Sequence, residues 1–285
     1  MICAWNELLF VLPQRLRDKV DKLGREDATE LRLRVNGPPE LVLHNKRIHL
    51  EERVTREDLN YCINTASRYS PWAASTMTRG YLTAPGGHRI GICGEGVMAS
   101  GELTNIRNIS SLCIRIARDF PGISKDLSSL KGSLLILGAP GWGKTTLLRD
   151  LIRQKSEMGC HVAVIDEREE LFPGNLDRGT GTDVLTGCPK AKAVDMLLRT
   201  MGPEIIAMDE ITAAEDCEAL QTAAWCGVSL LATAHAASLQ DFLHRPVYEP
   251  LVRKNLFDTL VILHPDKTWH LERSGAWTAN GSVRY

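Results

Sequence analysis

The sequence predicts an α/β protein in which a mostly parallel sheet carries helices on both faces and is preceded by a smaller α+β domain. Three observations lead there. From residue 132 onward, short uninterrupted apolar runs at Ser133–Leu137, Val162–Ile165, Ile205–Met208, Ser229–Ala232 and Thr259–Leu263 alternate with helically spaced segments at Thr145–Met158, Lys190–Met201 and Ala214–Trp225. Continuous hydrophobicity is what strands covered on both faces require. Before residue 120 the pattern instead alternates, as in sheets with one wet face. With 285 residues the chain exceeds the usual size of one core, so two domains are expected.

In chain order, Leu31-Arg32-Leu33-Arg34-Val35 alternates strictly, Asn36-Gly37-Pro38-Pro39 is turn chemistry, and Glu40 to Leu50 resumes the alternation, which reads as a hairpin. Thr55-Arg56-Glu57-Asp58 has the form of a capping box opening a helix to about Ser67. Glycines at 80, 86, 87, 91, 94, 96 and 101 punctuate a second β region, followed by a strand pattern at Leu112–Ala117. The expected division is an N-terminal domain 1–120, a linker 121–131 with Pro121, Gly122 and several serines, and a second domain 132–285.

Charge is balanced, with 34 Lys+Arg against 35 Asp+Glu, which excludes a global field drawing the chain to nucleic acid or an anionic membrane. No apolar run is long enough for a membrane span, so a cytoplasmic protein without a direct span is expected. The eight cysteines form no C-x-x-C pair and are expected as buried, reduced thiols.

The segment Gly138-Ala139-Pro140-Gly141-Trp142-Gly143-Lys144-Thr145, followed by Thr146, lies between an apolar strand and a helix. Glycines there let backbone amides converge on an anion, the helix N-terminus favours negative charge, Lys144 is placed for the β- and γ-phosphates, and the Thr145 hydroxyl for Mg²⁺. ATP with Mg²⁺ is the expected cofactor. The strand Ile205–Met208 runs into Asp209 and Glu210, which would hold Mg²⁺ through water and orient or deprotonate an attacking water, although such acids also cap a following helix. An additional strand pattern, Cys160–Ile165, runs into Asp166-Glu167-Arg168-Glu169-Glu170; this is either a solvated acidic loop or a segment in which Asp166 and Glu167 face the nucleotide from the neighbouring strand, the arrangement of hydrolytic P-loop ATPases of the RecA and AAA+ type. The strand Val228–Thr233 ends in Ala234-His235, where a histidine can report the γ-phosphate or simply be a satisfied structural residue.

The order GAPGWGKTT, VIDEREEL, LRTMGPEIIAMDEI and TAHA resembles the P-loop, Asp box, Walker B and His box of the type II and type IV secretion ATPases. With ELRLRVNGPPEL and GYLTAPGGHRIGICGEG, nearly the whole chain is similar to the stage III sporulation AA family within that group. One departure is Asp209, where the secretion ATPases commonly carry glycine; it leaves open whether Glu210 or Glu167 is the main catalytic acid. The resemblance implies a RecA-like P-loop NTPase domain and a homo-hexameric ring. It implies phosphate-contacting arginines from the N-terminal domain, for which Arg89 and Arg115 match and Arg107 is a spare. It also implies a mother-cell cytoplasmic motor docked on membrane proteins of a secretion-like channel in endospore formation. Two other functions stay open: an ATP-switched assembly scaffold with incidental hydrolysis, and an ATPase acting on single-stranded nucleic acid, against which the short tail Trp269–Tyr285 weighs and for which the arginines within Leu31–Arg34 are a contact, unless they are simply the wet face of a strand.

Overall fold

The computed structural model describes residues 2–23, 28–43, 46–67, 80–174 and 176–273. The chain packs as two compact units, one of residues 1–119 with 173–176, the other of residues 120–172 and 177–285.

Among the described residues the first unit holds a six-stranded antiparallel sheet built from β1 (Ala28–Arg34), β2 (Glu40–Leu43), β3 (Arg47–His49), β4 (Tyr81–Thr83), β5 (Arg89–Ala99) and β6 (Glu102–Arg115), in the order β3-β2-β1-β6-β5-β4. Period-two alternation sorts its faces. Leu31, Leu33, Ile90, Ile92, Leu112 and Ile114 are buried in one core with Leu59, Cys62 and Ala66 of the helix Arg56–Ser67 and with Trp5, Leu8 and Leu16 of two N-terminal helices, Trp5–Val11 and Gln14–Lys22. The intervening residues, among them Arg32, Arg34, Arg89, Cys113 and Arg115, line open hollows on the other face. The expected capping box forms: Thr55 N donates to Asp58 Oδ2 at 2.6 Å and Asp58 N to Thr55 Oγ1 at 3.3 Å. The β5–β6 hairpin is much longer than the glycine pattern suggested, because its outer half, with Glu95, Asn105 and Asn108, is exposed and carries little hydrophobic periodicity.

The second unit holds, among the described residues, a seven-stranded sheet. Its strands are β7 (Leu134–Gly138), β8 (Val162–Asp166), β9 (Thr182–Thr186), β10 (Ile205–Ile211), β11 (Ser229–His235), β12 (Thr259–Leu263) and β13 (Trp269–Arg273), in the order β9-β8-β10-β11-β7-β12-β13. All pairings are parallel except β12–β13. Leu135, Leu137, Ile165, Met208, Ala232 and Ile262 share a core with the helices Lys190–Thr200 and Ala214–Trp225. The alternate residues Leu134, Ile136, Val162, Val164 and Ala207 are equally buried, on the face of the helix Lys144–Glu157 with its Leu147, Leu148, Leu151 and Ile152. This double coverage is why the strand sequences are uniformly apolar.

Residues 121–131 are more than a tether. They contain a short helix, Lys125–Ser128, and Ser124 and Leu127 are fully buried in the second unit. Asp150 Oδ1 accepts from Gly122 N at 2.9 Å, and Oδ2 from Ser124 N at 2.7 Å and Ser124 Oγ at 2.8 Å. Arg153 completes the cluster. Burial alone would raise the Asp150 carboxyl, but these donors outweigh it and hold the group below the ordinary carboxylate range. The expectation for the cysteines needs correction too. All eight are free thiols, but only Cys62 and Cys217 are buried, and Cys93 and Cys226 are exposed. No helix among the described residues is long and apolar enough to cross a membrane.

Candidate active site

The carboxyl ends of β7, β8, β10 and β11 bring the sequence-selected residues of the second unit to one edge of the sheet, the edge where parallel α/β sheets place ligands. The loop after β7 begins with a type II turn: Trp142 N donates to Ala139 O at 3.2 Å, Pro140 occupies the second position, and Gly141 has φ 77° in the third. Gly143, at φ 101°, then turns the chain into the helix Lys144–Glu157. Both glycines sit in left-handed backbone that a side chain disfavours. Gly138 is needed for space, since a Cβ there would lie 3.2 Å from Leu263 Cβ and 3.3 Å from Lys144 Cγ. Thr146 follows in the first helical turn, half-buried.

Lys144 is 6% exposed, and its ammonium donates to Gly138 O at 2.9 Å, to Ala139 O at 3.2 Å and to His235 Nδ1 at 3.2 Å. Burial lowers its pKa, while Asp209 and Glu210 pull the other way. His235 Nε2 lies 3.0 Å from Glu210 Oε1. Because an ammonium can only donate, Nδ1 accepts and the ring proton sits on Nε2, facing the carboxylate. Tyr248 Oη supports this strand tip, accepting from His235 N at 3.2 Å and donating to Ile211 O at 3.4 Å.

A second chain runs beside the first. Thr145 Oγ1 donates to Asp209 Oδ2 at 2.8 Å, and Thr233 Oγ1 donates to Asp209 Oδ1 at 2.6 Å while accepting from Glu210 N at 2.7 Å. Glu210 stands at φ 53°, where the β10–β11 register shifts between Met208 and Ile211. A non-glycine residue in left-handed backbone costs about 1–2 kcal/mol. Here the irregularity turns two successive carboxylates, Asp209 and Glu210, toward the same edge instead of opposite faces. Lys190 donates to the Glu210 carbonyl and lies 3.6 Å from Asp216, pinning the bulge from behind.

Glu167 and Arg168 line a narrow cleft together with Asp166, Glu170, Lys190, Asp209 and Glu210. Arg168 Nη1 is 4.0 Å from Glu210 Oε2. Asp166 lines this cleft from a buried position. It is 2% exposed and accepts the amides of Glu170, Leu171 and Phe172 at 2.8, 3.0 and 2.9 Å, so it caps the turn after β8. Burial raises its carboxyl pKa above the ordinary value, outweighing the three amides, and Asp209 adds to the rise.

Arg89 and Arg115 belong to the first unit, directly opposite one another across β5 and β6. The Arg89 guanidinium stacks 3.9 Å over the Tyr81 ring, and Arg115, 71% exposed, is 4.0 Å from Glu30. Arg107 lies farther along the hairpin, exposed and opposite Glu95. Sequence reasoning missed Thr233, Lys190, Arg168 and Tyr248. Only Thr233 carried a signal, as a polar residue closing an apolar strand.

The donor set fits a nucleoside triphosphate with Mg²⁺. A hydroxyl and a carboxylate 2.8 Å apart are hard oxygen ligands, set beside a loop whose glycines and helix N-terminus form an anion nest. Comparison with known proteins agrees in fold. The family model for sporulation stage III, protein AA matches residues 6–282. A curated relative, stage III sporulation protein AA of Bacillus subtilis (strain 168), is 34% identical over 273 residues, 89% of each chain. Among solved structures, the Legionella pneumophila ATPase DotB superposes with TM-score 0.58 at 17% identity, covering 91% of this chain and 78% of that one. The pilus retraction motor PilT with bound ADP gives TM-score 0.60 at 16% identity, covering 87% and 76%.

Proposed function

The chain belongs to the sporulation stage III protein AA family, and from that premise we propose that it is a Mg²⁺-dependent ATPase working as the ring motor of a secretion-like membrane complex in endospore formation. One observation carries the enzymatic part: the hydrogen-bonded path from Lys144 through His235 to Glu210, running beside the Thr145–Asp209–Thr233 path. It links a phosphate-binding ammonium to the residue placed to act on water.

In this reading the loop amides and the helix N-terminus receive the phosphates, and Lys144 exchanges the carbonyls of Gly138 and Ala139 for phosphate oxygens. Thr145 and Asp209 would hold Mg²⁺, which supplies charge neutralisation at the β- and γ-oxygens when bound. Glu210 accepts a proton from water or orients it, its carboxylate aimed by the backbone bulge and by the His235 N–H. Glu167, which lines the same cleft, is the alternative acid for that role. Displacing Lys144 from His235 frees Nδ1, so phosphate occupancy is transmitted to Glu210 through one imidazole. Arg89 and Arg115 contribute positive charge to phosphate in the assembled ring, the role an arginine fork performs well.

The test is Mg²⁺-dependent phosphate release by the purified protein. Lys144→Ala abolishes it, and Glu210→Gln slows it by about a hundredfold or more while nucleotide stays bound. Full turnover in Lys144→Ala overturns the assignment. Mass measurement with a non-hydrolysable ATP analogue should give six copies, and a monomer with and without the analogue refutes the ring.

A further inference from the structure

The turn joining β12 to β13 reaches the phosphate loop. Lys267 Nζ donates to the carbonyl of Gly141, at the tip of the type II turn. The side-chain stem runs along the loop, because Lys267 Cδ is the nearest atom, at 3.9 Å, to a Cβ built on Gly143. Its backbone is unusual in an informative way. Lys267 N donates to His264 O at 3.0 Å and His264 N to Thr268 O at 2.9 Å, a type I turn over Pro265 and Asp266 followed by a left-handed residue. Glycine is the default there, yet this chain places a lysine at φ 72°.

The surrounding contacts hold that conformation. Asp266 Oδ1 accepts from Thr268 N at 3.0 Å and from Thr268 Oγ1 at 2.7 Å. At the base of the hairpin His264 and His270 stack with ring centroids 4.9 Å apart and a 2.8 Å Nε2–Nδ1 contact. A stiffened turn thus carries a strained residue whose charged end lies on the phosphate loop, and observed strain of this kind is a pointer to function.

We propose that Lys267 is a positioning residue of the nucleotide site, bracing the outer, carbonyl side of the phosphate loop so that its amides stay turned toward the phosphates. The inference rests on the ATP-binding reading above. In an anion nest the N–H groups converge inward and the carbonyls point away. An ammonium on Gly141 O fixes the Gly141–Trp142 peptide plane and polarises it, which strengthens the Trp142 N–H bond to Ala139 O that closes the turn and so holds the following amides in place. Gly141 is exposed and its turn is closed by one 3.2 Å bond, so without the brace the turn opens more often and the loop samples conformations that cannot bind phosphate. Apparent affinity then falls by the fraction of competent loops, whereas chemistry after binding is little changed.

Lys267→Met keeps the stem and removes the charge, and Lys267→Arg keeps a donor. The expected result for Lys267→Met is a rise of about tenfold in both KM for Mg-ATP and Kd for Mg-ADP, with kcat within about twofold, as loop preorganisation predicts. Lys267→Arg restores both constants, and the melting temperature without nucleotide is unchanged in either variant. The brace is overturned if Lys267→Met binds as wild type does while Lys144→Ala fails to bind, an outcome that leaves the ATP-binding reading standing. A kcat loss at constant KM overturns it as well. Absence of nucleotide binding in the wild type overturns both readings together.

Discussion

Replacing Thr233 by valine removes one oxygen, preserves the shape of a fully buried side chain, and disconnects the Asp209 carboxylate and the Glu210 amide at the end of β10. The hydroxyl donates to Asp209 Oδ1 at 2.6 Å and accepts from Glu210 N at 2.7 Å, and Thr233 is 0% exposed. Thr233→Val therefore strands an amide and weakens the support of a charged acceptor. A stranded buried donor costs about 1–3 kcal/mol, and a lost bond to a charged group about 1.5–3 kcal/mol. Asp209 is half-exposed and recovers part of its loss from water, which leaves a net of about 2–4 kcal/mol. For a unit of this size that is roughly 5–12 °C in melting temperature. With Asp209 and Glu210 no longer held, phosphate release should fall about 10–100-fold, the usual cost of removing a supporting hydrogen bond around a metal site. Thermal melts and a phosphate-release assay read the two effects, and Thr233→Ser should restore both. A valine variant melting within about 1 °C of wild type at unchanged turnover would show that the hydroxyl does not organise the site.

Removing Asp150 by alanine takes away the buried carboxylate that Arg153 and the Gly122 and Ser124 amides share and frees residues 121–131 from the second unit, so urea unfolding should show a loss of about 3–5 kcal/mol. His88, 0% exposed, places Nε2 at 2.7 Å from Ala4 O and accepts from Ala117 N at 3.1 Å on Nδ1. Burial lowers its pKa against the opposing bond to Ala4, so below about pH 6.5 the unfolded chain takes up the proton first. Stability present above that pH is lost as pH falls toward the folded value, by at most about 1.4 kcal/mol per pH unit, and His88→Gln should flatten this slope in denaturation measured between pH 7.5 and 5.5. Arg115→Ala should leave nucleotide binding intact and lower ring turnover about a thousandfold, whereas wild-type turnover would remove Arg115 from the chemistry.

The second unit was legible because its central strands are buried on both faces and therefore apolar without interruption, each followed by helical spacing. Its edges were not. β9 reads Thr-Asp-Val-Leu-Thr and β13 Trp-His-Leu-Glu-Arg, and neither has the continuous hydrophobicity that identified the interior strands. The convergence of Thr145, Asp209, Glu210 and His235 follows from strand order, which sequence spacing suggested once the phosphate loop was seen. Asp166 shows where such reasoning stops. Its place beside the acidic pair pointed to the cleft, which it does line, but that its carboxylate also caps its own loop depends on amides four to six residues away. Thr233 and Lys267 show the same limit, since each acts on a segment far off in sequence.

The central claim is that the loop from Gly138 to Thr145 binds Mg-ATP through its amides and the Lys144 ammonium. Calorimetric titration of the intact protein with Mg-ATP tests it most directly. Saturable binding by wild type that is lost in Lys144→Ala and retained in Glu210→Gln is the expected result. Equal heats from wild type and Lys144→Ala, or no heat from wild type, would contradict it.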